Sequence, residues 1–152
     1  MTSRADVTLV TADDLDDLLP LMRGYCDFYG VEPSDDELRT LSRTLIAEPD
    51  REGFQLVVRG QAGRALGFAT VYWSWSTLSA SRIAIMNDIF VVPDARGTGV
   101  AEALIEECRV RAGRRGATSL TWQTAKDNVR AQKLYERVGG RRAEWVDYSL
   151  DT

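Results

Sequence analysis

The 152-residue chain contains no histidine. That absence excludes Ser-His-Asp and Cys-His triads, imidazole general bases and every His-ligated zinc or iron site. Proton transfer is left to carboxylates, tyrosine, lysine, backbone or water. Cysteine is almost as scarce. Cys26 and Cys108 are too few for an all-cysteine zinc site or a disulfide framework, although one disulfide between them remains open, and their scarcity suits a reducing cytosol. No stretch reaches the roughly 18 consecutive apolar residues of a membrane span. The opening MTSRADVTLV lacks the basic start and apolar run of an export signal. A soluble cytoplasmic protein without a membrane partner is expected. No Gly/Ser linker, low-complexity segment or internal repeat interrupts the chain, which leaves one domain over residues 1–152.

What is present has the balance of an ordinary globular domain, with 44% hydrophobic and 28% charged residues. At this length folding buries roughly 68–70% of the unfolded surface, so no metal or disulfide staple is needed. The net charge of −4 argues against a nucleic-acid partner. It also conceals a split: residues 1–50 carry 12 acids and 4 bases, the remainder 11 and 15. Either these are solvated helix faces, or an acidic end draws a cationic substrate while a basic end holds an anionic cofactor.

Val7–Val10 reads as a first strand. Thr11 and Asp14 form a capping-box signature ahead of Leu15, Leu18, Leu19, Met22, Cys26 and Tyr29 at helical spacing. Ser34 and Glu37 repeat it before Leu38, Leu41, Leu45 and Ile46, and Pro49 ends that second helix. Phe54–Arg59, a turn through Gly60 and Gly63, Leu66–Ser76 and Arg82–Val92 read as an antiparallel meander. A helix from about Thr98 to Ala112 closes at Gly113. Ser119–Thr124 is a short strand, Asp127 caps a helix that stops at Gly139 and Gly140, and Glu144–Leu150 is a final strand. The order β-α-α-β-β-β-α-β-α-β predicts a mixed α/β (α+β) fold with helices on both sheet faces.

Ile89–Leu104, IFVVPDARGTGVAEAL, is an apolar strand entering a glycine-rich turn that opens a helix. Unpaired N–H groups of the first helical turn and the helix dipole suit an anion there, and Gly97 and Gly99 let it approach the backbone. Arg96 adds a fixed positive charge. A dinucleotide fingerprint fails because position 102 is Glu102, and a Walker loop fails because Gly-Lys-Ser/Thr never occurs.

The spacing Arg96-x-x-Gly99-x-Ala101 resembles the R/Q-x-x-G-x-G/A motif of the GCN5-related N-acetyltransferase (GNAT) superfamily. A second family motif follows as Asn128-x-x-Ala131-x-x-Leu134-Tyr135-x-x-x-Gly139, and with the strand order the resemblance covers residues 7–150. It implies an acetyl-CoA-dependent transferase that needs no metal, with a mostly antiparallel sheet splayed where the cosubstrate enters. By the resemblance, Ile89, Phe90 and Val91 offer backbone groups to the pantetheine arm. Arg96, Gly97, Thr98, Gly99, Val100, Ala101 and Glu102 hold the pyrophosphate. Asn128, Val129, Arg130 and Ala131 contact the arm or the adenosine phosphates, and Lys133 is either a phosphate contact or a solvated helix lysine.

Tyr135 is the expected general acid for the departing thiolate, since a phenol near pKa 10 and a thiol near 8.5 are close enough for proton transfer. A strand N–H, that of Val91, would meet the oxyanion. Met86-Asn87-Asp88-Ile89-Phe90-Val91 looks like Hpa2-like and polyamine acetyltransferases, whose polyamine members usually carry Glu-Asp where this chain has Asn87-Asp88. Asp88 is therefore either a base, directly or through water, or an anchor for the substrate cation. Tyr25, Phe28 and Tyr29 with Trp73 and Trp75 form the expected aromatic wall of the acceptor pocket, near Asp27, Glu32, Asp35 and Asp36. The acceptor is then the primary amine of a small cation or a lysine-bearing peptide. The alternatives are a neutral amino-acid or aminoglycoside amine, or a weakly catalytic acetyl-CoA sensor. Hpa2-like relatives associate through their last strand, which makes WVDYSL a candidate homodimer edge.

Overall fold

The structure is a computed structural model describing residues 5–152, in two compact units: one up to Trp122, the other Gln123–Thr152. The first holds β1 (Asp6–Leu9), α1 (Leu15–Tyr29), α2 (Asp35–Ala47), β2 (Gly53–Arg59), β3 (Ala65–Ser76), β4 (Ser81–Val91), α3 (Val100–Arg114) and β5 (Leu120–Thr121). The second holds α4 (Val129–Arg137). Five strands form one sheet in chain order. β1 to β4 run antiparallel and β5 joins β4 in parallel.

Both capping boxes form. The Asp14 carboxylate accepts from the Thr11 N–H at 2.8 Å and leads through one 3-10 turn into α1. Ser34 and Glu37 exchange bonds of 2.6 and 3.1 Å at the start of α2. Each box satisfies backbone donors that a helix start otherwise leaves without partners.

β2 is buried along almost its whole length, so its two faces serve two cores. Val57 and Phe68 join Leu18, Leu21, Met22 and Cys26 of α1 and Leu38 of α2 on one face. Strand alternation turns Leu56, Val58, Ala69 and Val71 to the other face, where α3 brings the buried Leu104, Ile105 and Cys108. Burying each large side chain contributes about 1.5–3 kcal/mol. α1 packs on the Phe90 ring of β4 at Gly24, where an added Cβ would stand 2.8 Å from the ring's Cζ.

Four boundaries differ from the sequence reading. α3 starts at Val100, because Gly97 (φ 75°) and Gly99 (φ 88°) place Thr98 inside the turn, and it continues through Gly113 to Arg114. β5 is limited to two residues by its two-residue register with β4. Asn128, not Asp127, caps α4: its Oδ1 accepts the Ala131 N–H at 3.2 Å. Residues 144–150 form no strand, and Trp145, Val146, Tyr148 and Leu150 are exposed. Alternating apolar residues become a strand only where a ladder partner receives their N–H and C=O groups.

Candidate active site

β4 changes character half-way along. Ala84 and Ile85 are flanked by β3 and β5, but among the described residues no strand lies on the β5 side of Met86–Val91. At the changeover Thr70 pairs with Asp88 and Val71 with Met86, so Asn87 is an extra residue in a β-bulge. Beyond it, the Val92 N–H donates to the Leu66 carbonyl on the β3 side at 2.9 Å. Antiparallel alternation then directs the backbone groups of Ile89 and Val91 to the open edge. Arg96 marks that edge, its Nε donating to the Val91 carbonyl at 3.0 Å and its guanidinium lying 5.7 Å from the Phe90 ring centre.

The chain then enters the glycine turn. Gly99 takes a left-handed conformation as N-cap of α3, and Gly97 shares that region. No neighbouring atom stands within 4 Å of a Cβ position on either, so the turn is open at both. The first N–H groups of α3 have no partner within the helix. An open strand edge followed by such a turn, with Arg96 between, fits an extended arm ending in a pyrophosphate.

Across β4 lies a cavity of about 140 Å³. Met22, Tyr25 and Cys26 of α1, Leu38 and Leu41 of α2, Phe68 and Tyr72 of β3, and Asn87 and Asp88 of β4 line it. Asp88 is half-buried, and burial pushes its carboxyl above the ordinary range. The neighbouring Thr70, Asn87 and Tyr25 pull the other way; the Asn87 amide donates to the carboxylate at 2.9 Å, and the Tyr25 hydroxyl donates to the Asn87 carbonyl at 3.3 Å. Behind Thr70, whose hydroxyl is fully buried, the Gln55 amide donates to its Oγ1 at 3.0 Å. Thr70 stands opposite Asp88 in the β3–β4 ladder. Burial, followed by the Asp88 charge, raises the Tyr25 phenol, and the same two causes push Tyr72 up to about 12. Burial also raises the Cys26 thiol, and it lifts Cys108 to about 12. Both cysteines are free, buried side chains.

The structure thus brings Tyr25, Asn87 and Asp88 together and separates other expected pocket residues from them. Trp73 and Trp75 do not line the cavity. The Trp73 indole donates to the Pro49 carbonyl at 2.8 Å and packs on Phe54, while Trp75 is exposed beside Arg82. The pleat is the reason: Phe68, Thr70 and Tyr72 share the cavity face of β3, and Trp73 faces away from it. Tyr29 packs on the Tyr25 ring at 5.0 Å, outside the lining, and Phe28 is exposed. Of the expected acids, Asp35 pairs with Arg23 at 2.6 Å, and none of Asp27, Glu32 and Asp36 lines the cavity. Asp14 and Asp17 are likewise held by Arg59. Asn128 and Tyr135 lie on the second unit, at the cap of α4 and two turns along it. Thr70, Gln55 and Tyr72 carry no motif; strand register sets Thr70 opposite Asp88 and Gln55 behind Thr70, and Tyr72 shares the cavity lining with Asp88.

A family model described as acetyltransferase (GNAT) family matches residues 18–140. The chain belongs to that family. It is an acetyl-CoA-dependent N-acetyltransferase of the GNAT type. Over 122 residues, 80% of each chain, the protein is 35% identical to the uncharacterised N-acetyltransferase YhfO of Bacillus subtilis. Over 78 residues, 51% of this chain and 48% of the other, it is 36% identical to the D-amino-acid N-acetyltransferase HPA3 of Saccharomyces cerevisiae. The aminoglycoside N-acetyltransferase AAC(6')-Iy, solved with a bisubstrate coenzyme A analogue, shares the fold at a TM-score of 0.84 over 99% of both chains and 21% identity.

Proposed function

We propose that this acetyltransferase acts on the primary amine of a small cationic molecule or peptide by direct attack in a ternary complex. The observation that carries the reading is Asp88: a carboxylate set by the Asn87 bulge between an apolar cavity and the open edge of β4. Acetyl-CoA, when bound, supplies the acetyl group as a thioester. Ile89 and Val91 offer backbone groups to its pantetheine arm and Arg96 to Glu102 hold its pyrophosphate, while the family motif assigns Asn128 to Ala131 to the arm or the adenosine phosphates.

Releasing a proton from an alkylammonium of pKa about 10.4 at pH 7 costs roughly 4–5 kcal/mol. Asp88 offsets part of this by pairing with the ammonium and accepting its first proton, directly or through water. The nitrogen lone pair then forms the C–N bond as the C–S bond breaks, and the Val91 N–H faces the carbonyl oxygen. Tyr135 gives its phenolic proton to the departing sulfur and regains one from the acylated nitrogen. The proton on Asp88 returns to solvent, which closes the balance.

The family match runs across both units, which supports a single catalytic domain over residues 1–152. The two free, buried cysteines suit a cytoplasmic setting. The exposed 144–150 segment is assigned to strand pairing in a homodimer; truncation after Ala143 followed by sizing checks this, and an unchanged mass removes the assignment. Thiol release from acetyl-CoA against polyamines, aminoglycosides, lysine peptides and amino acids tests the central reading. Turnover with a neutral or acidic acceptor alone would reject it.

A further inference from the structure

Resting on that amine reading, we infer a narrower acceptor: a monoamine with a compact apolar body about the size of a benzene ring and no carboxylate. The first argument is size. The cavity of about 140 Å³ beside Asp88 is close to the roughly 150 Å³ apolar cavity known to take up benzene. Its walls away from β4 are Met22, Cys26, Leu38, Leu41 and Phe68 with the rings of Tyr25 and Tyr72, so a hydrocarbon body gains contact there and a polar one loses hydration.

The second argument is charge. Asp88 is the one ionisable carboxylate in the lining, and no lysine or arginine is present in it. A diamine entering the cavity would leave its second ammonium against leucine and phenylalanine. Of the acids at the nearby helix ends, Asp35 is held by Arg23 and the Glu37 carboxylate accepts the Ser34 N–H, and none of Asp27, Glu32 and Asp36 lines the cavity. An amino acid would bring its own carboxylate towards Asp88 with no cation to receive it. Only an acceptor with a single ammonium and an apolar remainder meets every wall with its own chemistry. Its ammonium lies at Asp88 and its body extends between α1 and α2.

The test uses matched acceptors that differ by one charged group, with the full chain at saturating acetyl-CoA. Phenethylamine is set against D-phenylalanine, which adds a carboxylate, and hexylamine against 1,6-diaminohexane, which adds an ammonium. The uncharged-body partner is expected to show at least tenfold higher kcat/KM in each pair. Leu41→Trp, which fills the cavity from half-buried α2, should reduce the preference for phenethylamine over methylamine at least tenfold; bound acetyl-CoA and the circular dichroism spectrum establish that the variant is folded. Equal rates within the pairs, or a lead for the amino acid or diamine, would overturn this inference and leave amine acetylation standing. Acetyl-CoA binding without turnover of any amine would instead overturn the amine reading itself.

Discussion

The two sides of β4 are built from different materials. On its open edge the groups that matter are backbone: the N–H and C=O of Ile89 and Val91, then the left-handed turn at Gly97 and Gly99 and the start of α3. On its cavity side they are side chains, Asp88, Thr70, Gln55, Tyr25 and Tyr72, contributed by α1, β2, β3 and β4. Backbone recognition tolerates wide sequence change so long as the turn survives. Side-chain recognition changes with each substitution. A family can therefore share one cosubstrate while its members take different acceptors.

That contrast can be broken on either side. The largest effect is expected for Asp88→Asn, which should lower kcat/KM for the amine about 10²–10³-fold and leave the Kd for acetyl-CoA unchanged by isothermal titration. A parallel loss of acetyl-CoA affinity would merge the two sides. Tyr135→Phe should reduce kcat about 10²-fold with acetyl-CoA still bound; full activity would remove the assigned acid.

Gly99→Val forces a β-branched residue to φ 88° at a strain of about 1–3 kcal/mol. The Kd for acetyl-CoA should rise about tenfold while the pH profile stays in place. Thr70→Val should do the opposite. It removes the hydroxyl beside Asp88 that holds its carboxyl down, so the acid limb of kcat/KM should move to higher pH and Thr70→Ser should restore it.

The smallest effect concerns stability. The folded pKa of Asp88 is raised, so its favourable contribution is present below the unfolded value and lost as pH rises through the folded one. At neutral pH its charge is a burden, and Asp88→Asn should raise Tm by about 2–4 °C for each kcal/mol relieved. A fall in Tm would mean that the polar contacts outweigh burial.

The same contrast explains what was legible in the sequence. Glycines at 97 and 99 after an apolar strand, and capping boxes at Thr11 and Ser34, are local signals with local causes, so the turn and three helix starts could be read to within a few residues. Asp88 stood out because it interrupts an apolar strand. Its partners did not: Thr70 faces it only through the β3–β4 register, and Gln55 lies a further strand away. The same register turns Trp73 away from a pocket to which composition alone would assign it. The 144–150 pattern failed for a related reason, because alternation specifies a face and not a neighbour.

Gly24 leaves room for one aromatic ring between helix and sheet. It lets α1 rest on Phe90, and it is absent from the cavity lining. A methyl group there would meet the far end of the Phe90 ring, a side chain that can turn aside, so the fit of helix on sheet is set at this point by a movable ring and not by backbone.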